Sequence, residues 1–207
     1  MKSICAYLCN LIQILARFFV PLLGGPIRKE LLWLENPGLL MEETPQTGWE
    51  QHTIVTNQTD VHFRLFNFTL SGVENECIIS AEFFNEQLVL FCTTGLWTDW
   101  SQVNEIVIDT GLGQVFDVYV DDFNMDGRLD IMATAYNFTF GNVFLYEIPD
   151  NLEESFTKYT IADGFVANEI VGGQSMTPGS PKPFYPSAAY KNEELPDGRY
   201  NIVYFYC

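Results

Sequence analysis

The sequence predicts an all-β fold, and two observations support that prediction. Three segments of similar pattern recur along the chain with offsets of 54 and then 53 residues, namely WEQHTI at 49–54, VNEIVI at 103–108 and FTKYTI at 156–161. Beyond the first 29 residues there is no sustained helical periodicity, and short apolar or alternating runs are separated by Gly, Asn, Asp and Pro. The chain is therefore expected to consist of short strands joined by turns.

Each repeat contains about four strand-like segments over some 53 residues. The further matches pair 61–66 with 115–120, 79–84 with 132–137, and 86–91 with 141–146. Four short antiparallel strands per repeat describe a β-propeller blade. Runs such as 77–81 and 129–135 are apolar or small on both faces, so a single unit cannot bury them and neighbouring units must stack.

The predicted blades form an incomplete array. The repeats span about 49–101, 103–150 and 156–207, and the run 31–38 resembles the last strand of a preceding unit. That makes three to four blades, whereas closed propellers have about four to eight. A β-sandwich built from one duplicated unit is the alternative architecture.

Composition excludes one class of partner. The 207 residues carry 10 Lys and Arg against 27 Asp and Glu, for a net charge of −17. Such a chain repels phosphate backbones, so no nucleic-acid partner is expected. Because 47% of the residues are hydrophobic and 15% aromatic, the acidity does not indicate a disordered tail.

The N-terminal segment differs from the rest. Residues 1–29 contain four basic residues and no acid, and the apolar run 4–23 follows a short basic start. This layout predicts a signal peptide or hydrophobic leader over 1–25, ahead of the propeller segment 26–207, and hence a secreted or extracellular protein. Arg17 within the run leaves three alternatives open: an uncleaved membrane anchor, an organelle presequence or an artefact of gene prediction.

Two further features bear on the compartment. Three Asn-x-Thr sequons, at Asn57, Asn67 and Asn137, are glycan acceptors if the chain enters the secretory pathway. The body contains three of the five cysteines, and Cys77 with Cys92 is the nearest pair for a disulfide in an oxidising compartment. The alternative is that these cysteines are small buried hydrophobic residues.

The strongest motif is an acidic loop, DDFNMDGRLD at 121–130. From its second residue it follows the pattern D-x-[DN]-x-D-G-x-x-D, which places several side-chain oxygens on one side of a tight loop and suits Ca²⁺. An EF-hand is excluded, because Ala133 occupies the position of the required Glu and both flanks are strand-like. The predicted ligands are Asp122, Asn124, Asp126, the Arg128 carbonyl and Asp130. An acidic turn that binds no ion is the alternative.

The acidic loop between strands, followed by GNVFLYE at 141–147 and preceded by WLENPG at 33–38 and WEQHTI at 49–54, resembles the FG-GAP/VCBS repeat β-propellers, a group that includes the integrin α-subunit propeller. The resemblance covers about 31–170. It implies that calcium is structural and lies in a loop between two strands of one blade. In the first repeat the corresponding stretch, 67–77, lacks most of the carboxylates, so that unit is expected to hold no ion.

Catalytic motifs are absent from the sequence: no nucleophile elbow, phosphate-binding loop, dinucleotide fingerprint or zinc-protease pattern occurs. The two histidines are His52, a packing or surface residue, and His62, at the start of an inner strand. The sequence therefore favours a calcium-stabilised extracellular scaffold that binds or adheres to a protein or glycan. The alternative is the propeller domain of a carbohydrate-active enzyme, of lyase or dehydratase type, with His62 and acids from several blades in a central site.

Aromatic residues in two loops are candidate ligand contacts. The Gly- and Pro-rich stretch 172–186 carries Phe184 and Tyr185, and the stretch 95–100 carries Trp97 and Trp100. Such side chains stack on sugars or peptides. Packing within a connection between blades explains them equally well.

Overall fold

The computed structural model describes two compact units, 1–60 and 61–207, and each is considered by itself. The residues that the structure describes are 13–19, 28–35, 50–56, 62–97, 99–137, 140–166, 178–183 and 202–206.

The first unit contains one antiparallel sheet. Its strands are β1 (Gln13–Phe19), β2 (Arg28–Glu35) and β3 (Glu50–Thr56), in the order β1-β2-β3. Part of the predicted leader is therefore a strand paired with β2. Leu31, Leu32 and Trp33 on the central strand are buried.

The second unit begins with a four-stranded antiparallel meander. The strands are β4 (His62–Leu70), β5 (Val73–Glu82), β6 (Gln87–Thr93) and β7 (Asn104–Thr110), in chain order. A 3-10 turn at Trp100–Gln102 lies in the connection before β7. Cys77 and Cys92 face each other directly on β5 and β6 and form a disulfide.

A second meander of the same form follows. It contains β8 (Gln114–Asp121), β9 (Asp130–Tyr136), β10 (Phe140–Glu147) and β11 (Thr157–Val166). A hairpin of β12 (Pro178–Pro183) and β13 (Ile202–Tyr206) completes the described strands, and β12 lies near β8 and β9. Part of the stretch 172–186, expected to be a loop, is therefore a strand.

One structural detail ties the three recurring sequence segments together. Each forms the last strand of its sheet, and the pairing with the preceding strand skips one isoleucine: Ile54, Ile108 and Ile161 respectively. These residues occupy the same position of the repeat. A β-bulge at that position lets an extra residue turn out of the ladder and increases the twist of the strand. The sequence repeat therefore corresponds to a repeated structural feature.

The two four-stranded sheets pack face to face around the main core. Ile79, Ala81, Leu88 and Leu90 from the first sheet are buried against residues of the second, and Tyr146 is the largest of the buried residues there. The opposite face of the second sheet is also apolar. It carries a separate buried cluster of Phe123, Met132, Val143, Leu145 and Phe165. Burial on both faces explains why these strands read as nearly continuous apolar runs.

Polar contacts join the two sheets at both edges. At the edge formed by β4 and β8, the Nε of Arg64 donates to the carbonyl oxygen of Val118 at 3.2 Å, and the His62 imidazole contacts the Asp117 carboxylate. At the other edge, Asp109 of β7 accepts a hydrogen bond from the Tyr146 hydroxyl at 2.9 Å. These contacts give polar groups between the two sheets hydrogen-bond and charge partners.

The all-β prediction is confirmed, with antiparallel sheets throughout the described strands. The two meanders run over 62–110 and 114–166, so each ends on the strand that opens a predicted repeat. No closed barrel or propeller is present among the described residues, and the number of blades stays a prediction. Within the described part of the chain, no helix is long and apolar enough to cross a membrane.

Candidate metal centre

The predicted calcium loop, 122–129, connects β8 to β9. Two residues in it have left-handed backbone conformations, Met125 with φ 60° and Gly127 with φ 86°. Glycine adopts this conformation without steric cost, which fits its place in the motif. The chain thus reverses between Asp122 and Asp130, so the predicted ligands lie in one loop at the end of the sheet, although their carboxylates are not grouped as a metal-holding cluster.

Side-chain oxygens point into this loop and accept hydrogen bonds from its backbone. The Asp122 carboxylate accepts from the amides of Asp126 (3.1 Å) and Gly127 (2.8 Å). Asn124 Oδ1 accepts from the Asp126 amide at 2.9 Å, and Asp126 Oδ1 accepts from the Arg128 amide at 2.8 Å. Three of the five predicted ligands therefore face the loop interior.

Asp130 lies at the end of the loop, where β9 begins. It is the first residue of β9, is only 1% exposed, and accepts a hydrogen bond from the Phe123 amide at 3.2 Å. Burial, together with the negative charges of Asp126, Glu147 and Asp122, raises the pKa of Asp130 to about 7, although the Phe123 amide acts in the opposite direction. Asp130 therefore holds a proton more readily than an ordinary carboxyl group, chiefly because it is buried.

The strand register adds two carboxylates that the motif does not contain. Asp130 lies directly opposite Asp121 on β8 and opposite Glu147 on β10. Like charges at directly paired positions destabilise a sheet, unless a cation or proton compensates them. Glu147 also raises the pKa of Tyr159, mainly through its charge. No sequence signal linked Glu147 to the loop, because only strand pairing brings it there.

An open acidic cleft of about 280 Å³ lies beside these groups. Asp126, Asp130 and Glu147 line it together with Arg128 and residues 148–150, 154, 155 and 157. The Arg128 side chain points across the cleft wall, where its Nη2 donates to the Ile148 carbonyl at 2.6 Å and pairs with Asp150 at 3.1 Å. The Arg128 side chain is thus held away from the loop interior by Ile148 and Asp150. The Arg128 backbone carbonyl is the group of this residue that could coordinate an ion.

The residues fit a hard cation in their chemistry. A carboxylate has about four lone-pair sites, so one that accepts one or two amide hydrogens retains sites for a metal. Among the described residues, no group of three or more His, Cys, Asp or Glu side chains is placed to hold a metal by itself. A complete oxygen shell therefore depends also on the Asn124 amide and the Arg128 carbonyl, which are ordinary calcium donors.

The corresponding connection in the first meander has a different form. Between β4 and β5 the chain turns within two residues, Ser71 (φ 51°) and Gly72 (φ 81°), as in a tight hairpin. Such a turn has no interior in which oxygen ligands can gather. Of these two corresponding connections, β4–β5 and β8–β9, only β8–β9 has a loop of the required length.

The other candidate residues have ordinary structural contacts where the structure describes them. His52 stacks on Trp33, with ring centroids 4.0 Å apart. The Trp97 indole donates to Glu76 at 3.1 Å. His62 contacts Asp117 of the neighbouring sheet, with Arg64 beside it. Phe184 and Tyr185 lie outside the described residues, as does the Trp100 side chain.

Comparison of the chain with protein-family models, with curated protein sequences and with solved structures found no significant match.

Proposed function

We propose that this chain is a calcium-stabilised segment of a β-propeller of the FG-GAP/VCBS repeat type, which serves outside the cell as a binding or adhesion scaffold. The observation that carries the proposal is the 122–130 loop, where inward-facing oxygens of Asp122, Asn124 and Asp126 lie above the buried Asp130 carboxylate. The two successive meanders, packed face to face and sharing a bulge position, support the blade interpretation.

Calcium would act structurally in this scheme. Asp122, Asn124, Asp126, the Arg128 carbonyl and Asp130 would hold it, and its charge would offset the repulsion between the loop carboxylates. The chain's own residues fix the rest: the Arg128 side chain links the loop to the β10–β11 connection through Ile148 and Asp150. A rigid end of the sheet then presents its exposed loops to a protein or glycan partner.

Thermal unfolding of the full chain with excess Ca²⁺ and with chelator tests this proposal. A ligand that binds only the native state raises the melting temperature, by an amount that grows with the logarithm of its concentration relative to its Kd. We expect a rise of several degrees for the wild type and a smaller rise for Asp126→Asn, because the amide keeps one oxygen but loses the negative charge, while the exposed Asp163→Asn, a charge-matched control on β11, behaves like the wild type. An equal response of wild type and Asp126→Asn would refute the site.

Two features support the extracellular location. These are the Asn-x-Thr sequons and the Cys77–Cys92 disulfide, because disulfides form and persist in oxidising compartments. The apolar segment 1–25 has the layout of a leader, although Gln13–Phe19 within it forms β1. The partner is then a protein or a glycan, and a membrane association would require that the N-terminal segment is an uncleaved anchor.

One observation favours the alternative of a carbohydrate-active enzyme. His62 of the first meander meets Asp117 of the second, and Arg64 lies 4.0 Å from the same carboxylate oxygen. The pairing of β8 with β9 skips Phe116 just before Asp117, and such bulges redirect side chains. An imidazole held by a carboxylate is a general base, and a guanidinium binds acidic sugars. Turnover of acidic polysaccharides by the wild type, lost in His62→Gln and retained in His52→Gln, would favour this function, and no turnover would exclude it for those substrates.

A further inference from the structure

We infer that Asn67 and Asn137 carry N-linked glycans, an inference that rests on the proposed extracellular location. Each is the first residue of an Asn-x-Thr sequon, and each asparagine is exposed in the folded chain. Asn57, the third sequon residue, lies outside the described residues.

The sequon of β4 is presented outward by the alternation of the strand. Phe66 and Phe68 point into the core between the two meanders, while Asn67 and Thr69 are both exposed on the other face. The acceptor amide and the hydroxyl that the acceptor sequence requires therefore lie on the same side of one strand. A sugar attached at Asn67 would project into solvent, so no buried apolar side chain would have to be exposed to accommodate it.

Space is available beside Asn67. An open cleft of about 380 Å³ adjoins residues 67–70 and is bounded by residues 127–129 and 148–150, which lie in the β8–β9 and β10–β11 connections. The Asn67 Nδ2 donates a hydrogen bond to Glu74 Oε1 at 3.3 Å. Glycosylation leaves one hydrogen on that nitrogen, so the contact with Glu74 can persist.

Asn137 lies at the opposite end of the sheets, in the turn between β9 and β10. The side-chain Oδ1 of Asn137 accepts a hydrogen bond from the backbone amide of Phe140 at 3.0 Å. The backbone amide of Asn137 donates to the Phe140 carbonyl, also at 3.0 Å. The side-chain oxygen thus helps to hold the turn. Attachment through nitrogen leaves the contacts of the oxygen intact.

The modification is a group transfer from a lipid pyrophosphate-linked oligosaccharide. The Asn67 amide nitrogen forms a bond to the anomeric carbon of the first sugar, and the bond from that carbon to the pyrophosphate oxygen breaks. The electron pair leaves with the lipid pyrophosphate, and the amide nitrogen loses one proton. The same balance holds at Asn137. No oxidant or reductant is needed.

Translation of the full chain with endoplasmic-reticulum microsomes tests the inference with two independent readouts. Protection from added protease reports entry into the lumen, and a mobility shift on treatment with endoglycosidase H reports attached glycans. Protected wild-type chain should shift, Asn67→Gln and Asn137→Gln should each migrate one glycan faster before treatment, and the double variant two glycans faster. Asn104→Gln, an exposed strand asparagine without a sequon, should migrate like the wild type.

Substitution of the hydroxyl residue separates glycosylation from any effect of losing Asn67. Thr69→Ala should migrate like Asn67→Gln, and Thr69→Ser should keep the glycan. Protected chain that does not shift with endoglycosidase, or an unchanged pattern in Asn67→Gln and Asn137→Gln, would overturn the inference while leaving the location intact. Complete digestion by protease would overturn the location and the glycans together.

Discussion

Asp109 holds the outer edges of the two meanders together, and its replacement gives a quantitative test of how they pack. Its Oδ2 accepts from the Tyr146 hydroxyl at 2.9 Å and pairs with the Lys158 ammonium at 2.8 Å. Tyr146 is 1% exposed, so its hydroxyl depends on a protein partner. Burial and Asp109 both raise the pKa of Tyr146, and the hydroxyl therefore remains a donor across the neutral range.

The expected cost of Asp109→Ala has two parts. A buried hydroxyl that loses its acceptor costs about 1–3 kcal/mol. The ion pair adds on the order of 0.5 kcal/mol, because the Asp109 and Lys158 side chains are 23% and 36% exposed. Lys158 also lies 4.1 Å from the Phe144 ring centroid, which keeps part of its contact in the variant. The sum is a loss of about 1.5–3.5 kcal/mol.

Urea unfolding measures this loss as a shift in midpoint at constant slope. Tyr146→Phe should cost less, about 1 kcal/mol, because it removes the donor and leaves Asp109 with Lys158. The exposed Asp163→Ala serves as control and should stay within about 0.5 kcal/mol of the wild type. If Asp109→Ala is as stable as that control, or Tyr146→Phe is the more damaging change, the contact does not hold the sheets together.

Three further outcomes are expected. Reduction of the Cys77–Cys92 disulfide, which closes a sequence separation of 15, should lower the free energy of unfolding by about 3 kcal/mol, and an unchanged urea midpoint in reductant would contradict this. Gly113→Ala should lower the free energy of unfolding by about 3 kcal/mol, because the added Cβ overlaps the Tyr136 carbonyl. Gly72→Ala, at nearly the same φ but with open space around it, should lower it by only about 1 kcal/mol. Equal losses would show that the overlap at Gly113 is relieved. Asp130→Asn should raise the melting temperature in chelator, since it removes a buried charge facing Glu147, and lower it in Ca²⁺, so a change of the same sign in both conditions would contradict the ligand role of Asp130.

The repeat was predictable because its signals are local. An isoleucine at the bulge of each outer strand and apolar runs in the central strands recur at nearly constant spacing. The limits of each sheet were not predictable in the same way. Ten residues, 94–103, separate β6 from β7 within one sheet, whereas only three, 111–113, separate β7 from the next sheet. The second predicted repeat is divided from the first at the longer connection, so it begins with the last strand of the preceding sheet, one strand before the next sheet starts.

The candidate metal centre shows the same division. Asp122, Asn124, Asp126 and Asp130 lie within nine residues, so their spacing alone indicates a shared loop. Glu147 reaches Asp130 only through the register of β9 and β10, a tertiary feature that spacing does not encode. The contact between His62 and Asp117 likewise depends on how two sheets pack. Part of 172–186 also forms a strand, although its glycines and prolines predict a loop.

Calorimetric titration of Ca²⁺ into the full chain is the most direct measurement of whether the 122–130 loop is a metal site. The structure predicts one binding event in the wild type and in Asp163→Asn, and clearly weaker binding in Asp122→Asn, because the Asp122 carboxylate faces the loop interior and the substitution removes its charge. Binding that persists unchanged in Asp122→Asn, or no binding in the wild type, would show that the loop is an acidic turn closed by its own hydrogen bonds.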